Sequence, residues 1–199
     1  MERGMNHYSV VVFASGRGRT LHNLLQRIEE ESLPLEVKAL VVHRPCNAEL
    51  IATSHDLPVH QIDAEDRKSC HHLLQELAPD LVVLAGWIRP FPTPAPVPAI
   101  NIHPSLLPKY GGHGMYGRRV HEAVIAAGEQ VSGCTIHLVT ENYDEGPVLD
   151  QMEVPVKEGD TAEILAGRVF EAECQLLPST LVAVANGEIS LTDATRGIR

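Results

Sequence analysis

The stretch NIHPSLLPKY, from Asn101 to Tyr110, crowds an amide, an imidazole, a hydroxyl and a cation behind the apolar residues Val97 to Ile100. That polar content does not suit a core strand. Residues Ala99 to His103 alternate, so a short strand would put Asn101 and His103 on one face and Ile100 and Ile102 on the other. An amide that donates to oxygen, beside an imidazole that holds or releases a proton near neutral pH, suits a reaction whose transition state carries an oxyanion. Pro104 and Pro108 stiffen the exit and hold the pair in place. A lone histidine at a strand end is commonly a satisfied core residue; the company of His103 points to chemistry instead. Ser105 has no visible triad around it and reads as structural.

The elements that must position this pair can be followed along the chain. Tyr8 to Ala14 is a β-branched and aromatic run, as expected for a strand buried on both faces of a parallel sheet. SGRGRT follows, then helical spacing at Leu21, Leu24, Leu25 and Ile28. The glycines therefore sit on a strand-to-helix turn that points backbone N–H groups at an anion. The pattern lacks the third glycine of a dinucleotide fingerprint, and a tight turn alone would explain Gly16 and Gly18. Further strands are predicted over Leu35–His43 and Asp80–Ala85, with a short extended piece over Pro58–Ile62. Helices are predicted over Cys46–His55 and over Asp66–Leu77, the latter capped by Asp66. PFPTPAPVPA, from Pro90 to Ala99, cannot form a regular helix. GGHGMYGRR reads as a glycine-rich loop bordering the site, followed by a short helix over His121–Ala127. Val131 to Thr140 alternates, with Thr135, His137 and Val139 on one face. Pro147–Val156 makes a last strand or hairpin arm, and Thr161–Ala185 a long helix that Pro178 breaks or restarts. The alternation implies an α/β fold: a doubly wound, mostly parallel sheet with helices on both faces.

A chain of 199 residues with 44% hydrophobic content is long enough for one substantial core, and a single domain over residues 1–199 is expected, loosely ordered at about 1–6 and 192–199. A net charge of -10 argues against a nucleic-acid or anionic-membrane surface. Cys46, Cys70, Cys134 and Cys174 are scattered without a C-x-x-C pair, so neither a metal site nor a disulfide framework is indicated. The N-terminal apolar run is too short for a membrane span, and a reducing cytoplasm fits best.

NIHPSLLPKYGG, with VVLAGWIR upstream and YDEGPV downstream, closely resembles the signature segments of the phosphoribosylglycinamide formyltransferases, the folate-dependent enzymes of purine synthesis. The resemblance takes in the glycine loop and covers nearly the whole chain. It implies transfer of a formyl group from 10-formyltetrahydrofolate to the amine of glycinamide ribonucleotide, with no metal, by a monomer or homodimer. By the same resemblance Asn101, His103 and Asp144 are the catalytic set, with Asp144 raising the pKa of His103 so that the ring is protonated. On its own, Asp144 in a turn beside Gly146 would read as a turn former. The resemblance assigns Ile88, Arg89, Pro90 and Phe91 to the pterin pocket, largely through backbone groups, brings Arg67 toward the folate, and sets Asn101 against the cofactor as well. Gly18, Arg19 and Thr20 would hold the substrate phosphate, and Glu173 the ribonucleotide. Unaided, Arg67 reads as a solvated charge and Glu173 equally well as a surface salt-bridge residue.

Two departures from the family pattern stand out. Arg19 and Thr20 occupy positions where the family has a small polar residue and an asparagine, and the proline-rich segment is shorter than the usual loop and helical turn. A methionyl-tRNA formyltransferase would need a further tRNA-binding domain and a basic face. A formyltetrahydrofolate hydrolase would carry an N-terminal regulatory domain, for which the early first strand leaves no room. An N-formyltransferase acting on an amino-sugar nucleotide, or a folate- or nucleotide-binding protein without catalysis, stays open.

Overall fold

Val10, Val11, Val12 and Phe13 are fully buried, which is why β1 (Tyr8–Phe13) reads as an unbroken apolar run after Ser9. In the computed structural model, which describes residues 7–192, this strand lies in the interior of a sheet. Of the ends expected to be loosely ordered, only Thr192 is among the described residues; its hydroxyl lies 3.1 Å from that of Ser190. The further strands are β2 (Leu35–Val42), β3 (Val59–Gln61), β4 (Leu81–Leu84), β5 (Ala99–His103), β6 (Val131–Leu138) and β7 (Val148–Pro155). They form one sheet in the order β3-β2-β1-β4-β5-β6-β7. Pairing is parallel from β3 through β5 and antiparallel from β5 through β7.

The helices are α1 (Arg19–Glu31), α2 (Ala48–Ser54), α3 (Arg67–Leu77), α4 (Arg118–Ala126) and α5 (Ala162–Ala185). One sheet face carries Val10, Val12 and Ala14 of the first strand region and packs against α1, α2, α4 and α5. The other face carries Val11 and Phe13 and packs against Cys70, Leu73 and Leu74 of α3, with Trp87 and Phe91. Both faces are thus covered, as the sequence predicts. The chain winds outward from β1 to β3, then returns to lay β4 on the other side of β1. That reversal leaves a crevice at the carboxyl ends of β1 and β4, the usual place for a ligand in such sheets.

Two elements differ from expectation. Helix α5 runs unbroken through Pro178. A proline there leaves the carbonyl of Cys174 without its helical donor; the Arg27 guanidinium donates to it instead, at 3.2 Å, from α1. Helix α4 begins three residues before the predicted start, at Arg118, because Gly117 (φ 56°) turns the chain and Arg118 pairs with Glu122 one turn on, at 2.6 Å. Among the described residues no helix is long and apolar enough to cross a membrane.

Candidate active site

Strand register decides what meets the signature residues. Asn101 lies opposite His137 of β6, and His103 opposite Thr135. His137 Nδ1 is 2.9 Å from the Leu138 carbonyl, an acceptor only, so Nδ1 carries the hydrogen and Nε2 is left as an acceptor. The Asn101 amide then donates from Nδ2 to His137 Nε2 at 3.0 Å and to Asp144 Oδ1 at 3.3 Å. His103 donates from Nε2 to the Tyr110 carbonyl at 2.8 Å, which turns Nδ1 toward Asp144 Oδ2, 3.4 Å away. The Gly112 N–H donates to the same oxygen at 2.9 Å. Asp144 is therefore the hub: each carboxylate oxygen serves a different half of the cluster.

Local backbone holds this hub in place. Asp144 (φ 57°) and Tyr110 (φ 58°) both adopt the left-handed region, which costs a non-glycine residue roughly 1–2 kcal/mol and clusters at functional sites. A side chain at Gly146 would run into the Leu138 carbonyl, so only glycine lets the turn lie this close to β6. Below the site, Thr135 donates to the Ser105 carbonyl at 2.6 Å and accepts from the Leu107 N–H at 3.0 Å. Ser105 spends its buried hydroxyl on the Lys109 carbonyl at 2.7 Å.

Burial works to raise the pKa of Asp144, but the neighbouring imidazoles of His137 and His103 and the Gly112 N–H leave it below the usual carboxylate range. For His103 the balance goes the other way from the sequence expectation. Burial depresses its pKa more than Asp144 and the Tyr110 carbonyl raise it, so the free protein holds this ring uncharged at neutral pH. His43 and His121 are lowered as well, in both cases chiefly by burial. A depressed imidazole makes the unfolded chain the better proton binder below its own pKa of about 6.5, so stability rises with pH through that range. The thermal midpoint should therefore fall as pH drops from 7 to 5, and more gently in His103→Gln than in wild type; equal slopes in a calorimetric pH series would contradict the depressed His103.

The cluster opens into a cavity of about 970 Å³. At one end is the turn after β1. Gly18 (φ 71°) lies so close to α2 that an added Cβ would be 2.7 Å from Ala48 Cα. Arg19 is exposed, its guanidinium carbon 4.0 Å from the centre of the Phe170 ring. Glu173, half-buried in the same wall, has its carboxyl pushed up to about 7 by burial against the opposing pull of Arg19. At the other end are Ile88, Arg89, Pro90 and Phe91. Their backbone is fixed where the Ile88 N–H donates to Ser15 Oγ at 3.2 Å, and Trp87 and Phe91 both pack edge-on against Phe13.

Asn101, His103, Asp144, Gly18, Arg19, Thr20, Glu173 and Ile88 to Phe91 all line this one cavity. Arg67 does not. Its guanidinium donates to the Thr93 and Pro94 carbonyls at 2.5 and 3.3 Å, tying α3 to the proline-rich segment. Its prolines leave that segment few backbone donors of its own, so these carbonyls are left to accept from Arg67. Arg118 is also committed, to Glu163 at 2.6 Å as well as to Glu122. Among the described residues no group of three or more His, Cys, Asp or Glu is placed to hold a metal ion. Sequence reasoning missed His137, the Tyr110 carbonyl and the Gly112 N–H. The alternation of β6 already set His137 on one face with Thr135; only the β5–β6 register shows that this face meets Asn101.

A sequence profile of the formyl transferase family matches residues 8–181. The chain is 36% identical over 192 residues to the chloroplastic phosphoribosylglycinamide formyltransferase of Vigna unguiculata, covering 90% of this chain and 62% of that protein. It is 32% identical over 201 residues to the phosphoribosylglycinamide formyltransferase of Escherichia coli K12, covering 92% of this chain and 90% of that one. The crystal structure of glycinamide ribonucleotide transformylase 1 from Symbiobacterium toebii superposes with a TM-score of 0.83 at 30% identity, covering 93% of this chain and 90% of the other. The chain thus spans less than two thirds of its plant relative and most of its bacterial ones. By profile, identity and superposed fold together, the chain belongs to the formyl transferase family, alongside the phosphoribosylglycinamide formyltransferases.

Proposed function

We propose that the protein transfers the formyl group of 10-formyltetrahydrofolate to the primary amine of glycinamide ribonucleotide, a step of de novo purine synthesis. The observation that carries this reading is the meeting of Asn101, His103 and Asp144 in a single cavity, between the glycine turn at one end and the Ile88–Phe91 backbone at the other. In this reading the ribonucleotide phosphate lies on Gly18, Arg19 and Thr20, its ribose faces Glu173, and the pterin lies along Ile88 to Phe91. Arg67 serves the folate side as the tether of its proline-rich wall.

The uncharged state of His103 sets the order of events. The amine attacks the formyl carbon, a C–N bond forms, and the carbonyl becomes an oxyanion that takes a hydrogen bond from the Asn101 amide in exchange for its long, 3.3 Å bond to Asp144. His103 Nδ1 accepts the proton released by the attacking nitrogen. The imidazolium so formed is stabilised by Asp144 Oδ2 at one nitrogen and the Tyr110 carbonyl at the other. Collapse re-forms the carbonyl and breaks the bond to the folate nitrogen, which takes the proton back from His103. No protein nucleophile and no metal is needed.

Arg19 has no carboxylate or carbonyl hydrogen-bonded to it among the described residues, so its donors are available to a phosphate. Arg19→Ser should raise the KM for the ribonucleotide about tenfold with kcat little changed, since a hydrogen bond to a charged group contributes about 1.5–3 kcal/mol. An unchanged KM would remove Arg19 from the phosphate site. We read the chain as one catalytic domain, supported by its single seven-stranded sheet, and as working in the cytoplasm as a monomer or homodimer, a compartment that suits four free cysteines. The test is steady-state release of tetrahydrofolate with glycinamide ribonucleotide, an amino-sugar nucleotide, or water as acceptor. Release that depends on the ribonucleotide supports the proposal; release with another acceptor, or cofactor binding without any turnover, refutes it.

A further inference from the structure

His121 is an imidazole at the same cavity to which the steps above give no work. It lies on the buried face of α4 with Val120 and Val124, only 4% exposed, and lines the cavity with His103. Its Nδ1 is sealed from solvent and has no hydrogen-bond partner among the described residues. A buried N–H with nothing to donate to is rarer than an under-used lone pair, and leaving either unpaired costs about 1–3 kcal/mol. The hydrogen therefore sits on Nε2, the ring nitrogen left to the cavity. Burial, and then the neighbouring His103, lower its pKa, so the ring is uncharged at neutral pH. A neutral imidazole in this tautomer is a donor of fixed direction, able to hold a substrate oxygen without adding charge.

Its place in the fold indicates which substrate it meets. Helix α4 packs on the sheet face shared with α1 and α5, the helices that carry Arg19, Thr20 and Glu173. Trp87 and Phe91, at the pterin end, belong to the core on the α3 face. We infer that His121, through its Nε2–H, is a binding contact for an oxygen of the acceptor ribonucleotide, either its phosphate or its glycinamide carbonyl. The inference rests on the acceptor proposed above.

The experiment compares His121→Leu and His121→Gln with wild type, by steady-state kinetics, by calorimetric titration of glycinamide ribonucleotide, and by thermal unfolding. Leucine should raise the KM and Kd for the ribonucleotide about three- to tenfold for a carbonyl contact and more for a phosphate contact. The KM for the formyl donor should stay unchanged. Glutamine, which keeps an N–H at similar reach, should recover most of the loss. The leucine variant should unfold no earlier than wild type, because it removes the orphaned nitrogen. With the dephosphorylated acceptor, a loss that persists assigns the carbonyl, and a loss that vanishes assigns the phosphate. Wild-type affinity in the leucine variant, or equal losses for both substrates with a lowered midpoint in both variants, would overturn the inference in favour of a packing role. Wild-type protein that neither binds nor turns over the ribonucleotide would instead overturn the function proposal, and this contact with it, before any variant is compared.

Discussion

Asn101→Ala and His103→Ala should each lower formyl transfer at least about a hundredfold while the fold survives. Losing a single oxyanion donor costs about 2.7–4 kcal/mol in barrier, and each tenfold in rate corresponds to about 1.36 kcal/mol. The loss should fall on kcat, because the oxyanion exists only in the transition state. The two variants should differ in pH dependence. With Asn101→Ala the rate should still decline on the acid side as His103 becomes protonated, since that histidine remains. With His103→Ala the acid limb should disappear. Near-normal turnover of either variant would refute the role assigned to it, and a folded state confirmed by circular dichroism keeps the result interpretable.

Asp144→Asn is the second large effect, of roughly a hundredfold, since hydrogen bonds to charged groups contribute about 1.5–3 kcal/mol each and this carboxylate serves both halves of the site. Its two oxygens accept from the Asn101 amide and from the Gly112 N–H. An amide in its place must turn its NH₂ toward one of these donors, so one contact becomes a donor against a donor. Asparagine tolerates the left-handed backbone at this position, which keeps the turn itself intact. Because Asp144 pulls the pKa of His103 upward, its removal should move the acid limb of the rate profile to lower pH. A limb that stays in place, or moves up, would mean that the carboxylate does not act on His103.

The contrast between what could and could not be read from the sequence follows from the range of the interactions involved. β1 and β4 were legible because strands buried on both faces leave an unbroken apolar run, and the proline-rich segment because five prolines between Pro90 and Pro98 exclude a helix wherever they lie. The shared face of Asn101 and His103 follows from strand alternation alone. The charge of His103 does not. It depends on how completely neighbouring elements bury the ring, and burial here outweighs the nearby carboxylate. His137 escaped notice because its partner is set by the β5–β6 register, and Pro178 was misjudged because its compensating donor, Arg27, stands on another helix. Arg67 reads correctly as the start of a helix, yet its direction is fixed by carbonyls at Thr93 and Pro94 that no local pattern reveals.

The most direct measurement follows an isotopically labelled formyl group from 10-formyltetrahydrofolate in a single turnover with glycinamide ribonucleotide and wild-type protein. The label is expected on the ribonucleotide nitrogen, in step with tetrahydrofolate release, with none retained on the protein and the yield collapsing in Asn101→Ala. Label recovered as free formate, or on the protein, or left wholly on the folate while the ribonucleotide is bound, would contradict direct transfer at this site.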